Sequence, residues 1–375
     1  MRKKMINKAK VFRIAAYSLY LLVFVVFCLE IFLRIYNPFD FRQKGNSIIL
    51  PRNRKMIFSN RNIPVLEQTI IHTKNSLGFR GPEMPPSFEK YTSIVAVGGS
   101  ATECFFLSDS NCWSNQLEKK LKLTNKNTWV NNAGFQGHST YGHFILINEY
   151  VKYLHPKFIL LMAGFNEIDR EDIREDESVA RISNKNTAWG WMKRNSEIVN
   201  VTLNIERHIM ADRLSVTDGY VDLQKGNNQS LELNNSEIDS ALKIQKPLIE
   251  AFRKRLNKIL DTCLSNGIHP ILVTQPILFG RGADNITGAN LETYKIRNGY
   301  NGLMMWKILE EYNNVSRQMA VSKNVFLIDL ATEMPKSSLF FYDICHFSNQ
   351  GALKVSEILE RHLMQYFLKE KASNN

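Results

Sequence analysis

The sequence predicts an α/β domain built on a parallel sheet, together with an apolar helix near its N-terminus. From residue 91 onward, short apolar runs alternate with stretches of helical periodicity, a pattern that is typical of βαβ units. A second observation is the long apolar run from Ile14 to Leu33. The chain has 375 residues, of which 44% are hydrophobic, so it can bury a sizeable core in one large domain with appendages or in two small domains.

The predicted elements follow one another as strands and helices in turn. The strands are short apolar runs at 94–97, 129–132, 157–163, 269–274 and 325–329. Helical periodicity marks 143–153, 246–265 and 350–368. Asn266-Gly267 follows the second helix, as is common at helix C-termini. This order predicts parallel strands whose carboxyl ends meet at one edge of the sheet.

The net charge of +12 is concentrated at the N-terminus. Residues 1–55 hold twelve Lys and Arg against Glu30 and Asp40, a net charge of +10. The other 320 residues carry 36 basic and 34 acidic residues, so this part is nearly neutral. The basic composition therefore does not indicate a nucleic-acid partner.

The apolar run from Ile14 to Leu33 predicts a single membrane span, interrupted by Glu30 near its end. Six basic residues precede it, and the positive-inside rule places them in the cytoplasm and everything after residue 37 outside it. A cleaved signal peptide is the alternative, but no small-x-small cleavage site follows the run. Val25-Val26-Phe27-Cys28 resembles a lipoprotein box, with Phe27 where a small residue is needed. An uncleaved, single-pass anchor is the favoured interpretation.

Five cysteines, at positions 28, 104, 112, 263 and 345, show no spacing typical of metal ligands. Cys28 lies in the predicted span. Cys104 and Cys112 are close enough in sequence to pair in an oxidising compartment, although free buried thiols are the favoured state.

Three regions organise the chain: a cytoplasmic tip and anchor at 1–37, a juxtamembrane stalk at 38–90, and the α/β domain at 91–375. The stalk is polar and rich in proline, and it contains the turn-rich patch Asn75-Ser76-Leu77-Gly78-Phe79-Arg80-Gly81, whose role the composition does not reveal. An insertion at about 170–245 contains Trp189-Gly190-Trp191. It is interpreted as a cap over the carboxyl edge of the sheet or, equally, as a partly ordered surface excursion.

A Gly98-Gly99-Ser100 turn follows the first predicted strand. The glycines permit backbone angles and close approaches that a side chain would block. Ser100 then stands at the edge of the sheet where open α/β proteins bind their ligands. By itself, the turn is compatible with a tight βα loop, a phosphate-binding loop or a nucleophile.

Three further polar stretches follow later strands, at 131–140, 163–167 and 342–348. Together with Ser100 they offer the groups that acyl transfer requires. His346 is the candidate base for Ser100, and Asp343, three residues earlier, is the candidate partner that orients the imidazole. The backbone N–H groups of Ser100 and Gly134 and the side-chain amide of Asn166 are candidate oxyanion donors.

Each of these residues also has an ordinary structural interpretation. Gly134 alone is typical of a turn, Asn166 of a cap, and an Asp-x-x-His pair of a solvated surface. The ordered set at four strand ends favours a functional site.

The order Gly-Gly-Ser, Asn-x-Gly, Gly-x-Asn and Asp-x-x-His resembles that of the SGNH hydrolases, also called GDSL esterases and lipases, over roughly residues 91–368. The resemblance implies a three-layer α/β/α fold related to flavodoxin. It implies Ser100 as nucleophile, Asp343 and His346 as its dyad, Gly134 and Asn166 in the oxyanion hole, and no metal or organic cofactor. The first block reads Gly-Gly-Ser-Ala where the family has Gly-Asp-Ser-Leu, a drift similar to that of membrane-anchored bacterial members.

The resulting hypothesis is a membrane-anchored serine esterase outside the cytoplasm, acting on an O-acyl ester of a carbohydrate or a lipid-like molecule. An acetyl group on an envelope polysaccharide is the specific hypothesis. An acyltransferase with the same site, or a carbohydrate-binding module with a vestigial site, are the alternatives. A phosphate-binding loop is the weakest interpretation, because Gly-Lys-Ser/Thr is absent.

Overall fold

The computed structural model describes residues 8–36, 43–44, 47–169, 188–203, 205, 219–224, 230–297 and 299–373. The chain forms two compact units. One unit comprises Met1–Ile49 and Val179–Thr217, and the other comprises Leu50–Ser178 and Asp218–Asn375. The predicted boundaries at residues 37 and 90 stay predictions, and about half of the predicted insertion, including 170–187, lies outside the described residues.

The strands in chain order are β1 (Gln43–Lys44), β2 (Ser47–Ile48), β3 (Arg54–Ser59), β4 (Thr69–Lys74), β5 (Thr92–Gly98), β6 (Thr128–Asn132), β7 (Phe158–Met162), β8 (His269–Val273), β9 (Lys295–Arg297), β10 (Tyr300–Asn301) and β11 (Phe326–Ile328). The helices are α1 (Lys8–Ile35), α2 (Ser100–Glu103), α3 (Trp113–Thr124), α4 (Thr140–Glu149), α5 (Ala188–Asn195), α6 (Asn235–Ser265), α7 (Gly302–Lys323), α8 (Leu330–Glu333) and α9 (Asn349–Ser373). Short 3-10 helices lie at Phe88–Lys90, Asp109–Asn111, Val151–Leu154 and Phe165–Glu167.

The larger unit is built on a five-stranded parallel sheet, which confirms the predicted fold class. Its strand order is β11-β8-β7-β5-β6, the doubly wound order of flavodoxin-like proteins. The ladders pair Ala96 with Asn132 and Gly98 with Met162, so the carboxyl ends of β5, β6 and β7 meet at one edge. β5 and β7 are buried almost throughout, which explains their continuous apolar sequences.

Connection handedness explains how helices cover both faces of this sheet. The path from β5 to β6 runs in one direction, and the paths through β7, β8 and β11 run in the other. Right-handed crossovers therefore put α3 on one face and α4, α6 and α7 on the opposite face. The contacts agree, since α3 packs on α9 while α6 packs on both α4 and α7.

Two helices differ from their predicted bounds. The predicted helix at 143–153 is α4 followed by a separate 3-10 turn, Val151–Leu154. The helix predicted from 246 begins at Asn235, where Asn234 and Glu237 form a reciprocal capping box. α6 continues through Pro247, so residues that the sequence assigned to the insertion belong to this helix.

Helix α1 contains Lys10–Ile35, a segment that is long and apolar enough to cross a membrane, with a mean hydropathy of 2.3. Nearly all of its large apolar side chains are exposed. Length and composition of this kind are shared by membrane anchors and signal sequences.

Candidate active site

Ser100 is the first residue of the short helix α2, immediately after β5. The turn that leads to it requires glycine. A Cβ at Gly98 would lie 2.1 Å from Thr102 Oγ1 and 2.7 Å from the main-chain oxygen of Met162. The N–H of Ser100 stands in the first turn of α2, where no acceptor exists within the helix.

Ser100, His346 and Asp343 form a continuous hydrogen-bonded relay. Ser100 Oγ lies 2.7 Å from His346 Nε2, and His346 Nδ1 lies 2.6 Å from Asp343 Oδ2. Asp343 Oδ1 accepts hydrogen bonds from the backbone N–H groups of Cys345 at 2.9 Å and His346 at 2.8 Å. The carboxylate is therefore fixed by its own loop while it holds the imidazole.

Two opposing effects set the pKa of His346. Burial lowers this pKa, but the negative charge of Asp343, the interaction with Cys345 and the hydrogen bond from Nδ1 raise it. The net result is a pKa well above the ordinary value of histidine. The carboxylate therefore stabilises the protonated imidazole, as a base that accepts a proton from Ser100 requires.

The side chains of Asp343, Cys345 and His346 also form a group whose possible metal-ligand atoms lie within 4.8 Å of one another. His346 Nδ1, however, is hydrogen bonded to Asp343 Oδ2. This contact is that of an oriented imidazole rather than of two ligands facing a common ion.

Asn166 lies beside the turn that precedes Ser100. It stands in the 3-10 helix Phe165–Glu167 after β7, and its Nδ2 donates a hydrogen bond to His138 O at 2.9 Å. A Cβ at Gly99 would lie 2.4 Å from Asn166 Nδ2 and 3.3 Å from His138 O. The side-chain amide therefore reaches the backbone immediately before Ser100, and this approach requires glycine at position 99.

The N–H of Gly134, which the sequence predicts as an oxyanion donor, already has an acceptor within the protein. Its N–H donates a buried hydrogen bond of 2.8 Å to Asn132 Oδ1. A Cβ at this position would lie 2.4 Å from the backbone nitrogen of Glu103. Glycine is required here because the loop packs against α2. In the same loop, Gly137 has a φ of +74°, and a Cβ there would meet open space.

Arg80 fixes the segment that follows α2. Its side chain is fully buried, and Nη1 donates to the carbonyls of Glu103 at 2.7 Å and Cys104 at 2.6 Å. Nη2 donates to Leu107 O at 2.8 Å and to Asp109 Oδ1 at 2.7 Å. One guanidinium thus binds three consecutive parts of the chain downstream of Ser100. The patch at 75–81, to which the sequence analysis assigned no role, supplies this residue.

A buried ion pair fixes the loop after β6 against the same helix. Lys74 Nζ lies 3.2 Å from Glu103 Oε1, with both side chains almost fully buried. Glu103 Oε2 accepts a hydrogen bond of 2.7 Å from the backbone N–H of Gln136. Burial, together with the positive charges of Arg80 and Lys74, lowers the pKa of the neighbouring His72 to about 3. His72 is therefore neutral at physiological pH.

A second buried ion pair holds Asn166 in place. Glu167 Oε2 accepts from Arg255 Nη2 at 2.6 Å, and Glu167 Oε1 accepts from Thr140 Oγ1 at 2.8 Å. Arg255 Nε also donates to Thr140 Oγ1 at 2.8 Å. These contacts join the loop after β7 to the start of α4 and to α6. Sequence reasoning missed Glu167 and Arg255. For Arg255 the available signal was its position on the helical face that also carries Phe252 and Ile259.

The structure brings together the predicted nucleophile, base and acid, and it brings Asn166 next to their turn. Gly134 lies in the neighbouring loop, and its N–H donates a hydrogen bond to Asn132 Oδ1. The surrounding loops are held by buried charges from segments that carried no predicted role.

No protein-family model and no curated protein matches the sequence. Among solved structures, similar chains include a protein of the G-D-S-L family from Desulfitobacterium hafniense DCB-2, with 14% identity and a TM-score of 0.38 over 72% of this chain and 98% of that one. The acetylxylan esterase Axe2 from Geobacillus stearothermophilus has 12% identity and a TM-score of 0.42 over 72% and 94%. The lipase/acylhydrolase from Enterococcus faecalis has 15% identity and a TM-score of 0.39 over the same shares. These likenesses concern the fold.

Replacement of Asp343 by Asn should lower the pKa of His346. The substitution removes the negative charge that raises this pKa and leaves the burial that lowers it. A pH titration of the imidazole signals by NMR, assigned with His346→Gln, would measure the change. An unchanged pKa of His346 in Asp343→Asn would contradict the inference that the negative charge of Asp343 raises it.

Replacement of Arg80 by Ala should reduce the free energy of unfolding by about 3–5 kcal/mol, because it leaves buried carbonyls and Asp109 without their donor. Arg80→Lys should restore only part of this, since an ammonium lacks the planar fork of donors. The matched control is Arg281→Ala, at an exposed position, with an expected change within about 0.5 kcal/mol. Urea denaturation of the full chain in detergent would compare the three. Equal losses in the free energy of unfolding for Arg80→Ala and Arg281→Ala would contradict the role of Arg80 in fixing the segment after α2.

Proposed function

We propose that this protein is a serine esterase in which Ser100, His346 and Asp343 act as nucleophile, base and orienting acid. The observation that carries this proposal is the relay from Ser100 Oγ to His346 Nε2 at 2.7 Å and from His346 Nδ1 to Asp343 Oδ2 at 2.6 Å. A hydroxyl becomes an effective nucleophile when a base within hydrogen-bond reach takes its proton.

The reaction proceeds in two half-reactions. Ser100 Oγ attacks the ester carbonyl carbon while its proton moves to His346 Nε2, forming a tetrahedral intermediate with a negative oxygen. This intermediate collapses as His346 returns the proton to the leaving alcohol, and an acyl-enzyme on Ser100 remains. Water, deprotonated by His346, then attacks the acyl carbon and releases the carboxylic acid with Ser100 regenerated. Because the base must be neutral, activity should fall as the pH drops below the raised pKa of His346.

The proposed oxyanion hole consists of the N–H of Ser100, the side-chain amide of Asn166 and a backbone N–H of the loop after β6. Asn166 is supported by its approach to Gly99, the residue before the nucleophile. Gly134 can take part when Asn132 Oδ1 releases its N–H.

The substrate is proposed to be an O-acyl ester of a carbohydrate or a lipid-like molecule, with an acetylated envelope polysaccharide as the specific hypothesis. Aromatic rings adjoin the base: Tyr342 stacks on the ring of His346 with a centroid distance of 5.5 Å. Phe106 packs edge-on against Tyr342 at 6.5 Å. Phe106 is only partly buried, and its ring suits the C–H face of a sugar or the apolar part of an acyl group.

The protein is proposed to be anchored by α1, with its N-terminus in the cytoplasm and the α/β unit outside. The length and apolar character of Lys10–Ile35 and the basic residues before it support this orientation. An acyltransferase using the same site differs only in the acceptor, which is a hydroxyl group instead of water.

Hydrolysis of p-nitrophenyl acetate by the full chain in detergent should fall at least about 10³-fold in Ser100→Ala and in His346→Ala, because each removes a member of the relay. The control Ser110→Ala alters an exposed serine nearby and should retain wild-type activity. Transfer of the acetyl group to added glycan instead of water would favour the acyltransferase. A folded but inactive wild type would favour the binding module, whereas equal rates in wild type and Ser100→Ala would refute the serine mechanism.

Asn166→Ala should lower kcat by roughly 10²–10³-fold, the effect expected when an oxyanion donor is lost. The substitution also removes the hydrogen bond to His138 O, so its effect on stability must be measured separately. Arg255→Lys tests the support of Asn166 and should lower kcat less than Asn166→Ala. Steady-state kinetics and thermal denaturation of both variants would separate the two effects. A loss confined to KM would argue against an oxyanion role.

A further inference from the structure

Glu30 is an unusual residue in α1, because it places a carboxylate within the segment Lys10–Ile35 that has the composition of a membrane span. An ionisable group within a membrane is costly unless it is paired or faces a polar surface. The rise of an α-helix separates Glu30 from Arg13 by roughly 25 Å, against a hydrocarbon thickness of about 30 Å. With Arg13 at the inner surface, Glu30 stands near the outer boundary of the hydrocarbon.

The carboxylate of Glu30 binds a segment that is distant in sequence. Glu30 Oε1 accepts a hydrogen bond of 2.9 Å from the N–H of Glu197. Glu30 Oε2 accepts from Ser196 Oγ at 2.9 Å and from the N–H of Ile198 at 3.2 Å. The Glu30 side chain is only 20% exposed. One carboxylate therefore satisfies three donors and attaches this segment to α1.

Arg34, one turn further along α1, adds a second attachment. Its guanidinium bonds to Glu30 Oε1 at 2.9 Å and donates to the carbonyl of Asn195. Asn195 is the last residue of α5, so the C-terminus of α5 is attached to the final turns of α1.

Helix α5, Ala188–Asn195, exposes large side chains. Trp189 is 51% exposed, Trp191 60% and Met192 37%. Its sequence combines two tryptophans with Lys193 and Arg194. Tryptophan and basic residues are enriched where a protein meets lipid headgroups, because they have an apolar body and a polar or charged end.

We propose that α5 is an interfacial membrane helix, held at the outer lipid surface by Glu30 and Arg34, with Trp189 and Trp191 in the headgroup region. This proposal rests on the membrane anchoring by α1 given under Proposed function. The attachment suits the dimensions, since the rise from Glu30 to Ile35 is about 7.5 Å and each interfacial layer is roughly 5–8 Å thick. Glu30 thus positions the insertion on the membrane instead of disrupting the span.

The exposed side of α5 that carries Trp189 and Trp191 therefore contacts a phospholipid surface. A carbohydrate stacked on the two rings is the competing occupant. The attachment to the end of α1 favours lipid, because it brings the exposed rings to the depth at which the span leaves the hydrocarbon.

The experiment reconstitutes the full chain into phosphatidylcholine vesicles with and without bromine on the acyl chains close to the headgroup. Bromine quenches tryptophan emission only at short range, so the wild type should be quenched in brominated vesicles. Trp189→Phe/Trp191→Phe should lose most of that quenching. The control Trp306→Phe alters a half-buried tryptophan of the other unit and should retain it. Glu30→Leu removes the attachment and should reduce the quenching toward that of the double variant.

Alkaline carbonate extraction of the same vesicles separates this proposal from the anchoring on which it depends. Protein that is extracted shows that α1 does not span, which overturns both proposals. Protein that resists extraction, with equal bromine quenching in wild type and Trp189→Phe/Trp191→Phe, overturns only the interfacial helix. A change of tryptophan emission on addition of acetylated xylo-oligosaccharide, without bromine quenching, identifies a carbohydrate face and likewise overturns the lipid proposal.

Discussion

The contact between Ser100 Oγ and His346 Nε2 joins residues 246 positions apart in sequence, and the candidate site depends on it. A parallel sheet makes this contact possible, because every strand delivers its following loop to the same edge. Ser100 follows β5 near the middle of the sheet, and His346 comes from a loop beyond the edge strand β11. Ser100 and His346 are therefore brought together by sheet register and not by contacts local in sequence.

Local geometry then determines what each loop can do. Asp343 and His346 lie on one turn, so the carboxylate can bind both the backbone and the ring of the same loop. Close backbone approaches at Gly98 and Gly99 allow Thr102 and Asn166 to lie against the turn that precedes Ser100. Substitution by any residue with a Cβ would force these groups apart. The site thus depends on the strand order of the sheet, which brings distant loops together, and on two positions, Gly98 and Gly99, where only glycine fits.

The sequence predicted the five strands, their parallel arrangement and the polar blocks after them, because buried strands and glycine turns leave strong local patterns. It did not predict the hydrogen bond of the Gly134 N–H with Asn132 Oδ1, since the direction of an amide depends on the packing of its loop. It also placed the start of α6 too late. A helix that continues through Pro247 is stabilised by contacts with α4 and α7 that no local pattern reveals.

The roles of Arg80, Glu103 and Glu167 escaped prediction for a related reason. Each is a charged residue that is buried, and charged residues are read from sequence as surface groups. Burial of a charge is tolerated only when its partners are complete, as they are for Arg80 with three carbonyls and Asp109. Removal of one partner leaves the other without compensation, so its loss destabilises the fold far more than the loss of a surface ion pair.

The same principle applies within each of the two units of the chain. Glu30 is acceptable in an apolar helix because Ser196, Glu197 and Ile198 supply its donors. Arg80 is acceptable in the α/β unit because main-chain carbonyls supply its acceptors. In both places the donors or acceptors that a partly or fully buried charge needs come from a segment distant in sequence, so the charge specifies which segment packs there. For this protein, buried charges therefore indicate tertiary contacts that hydrophobic periodicity leaves undetermined.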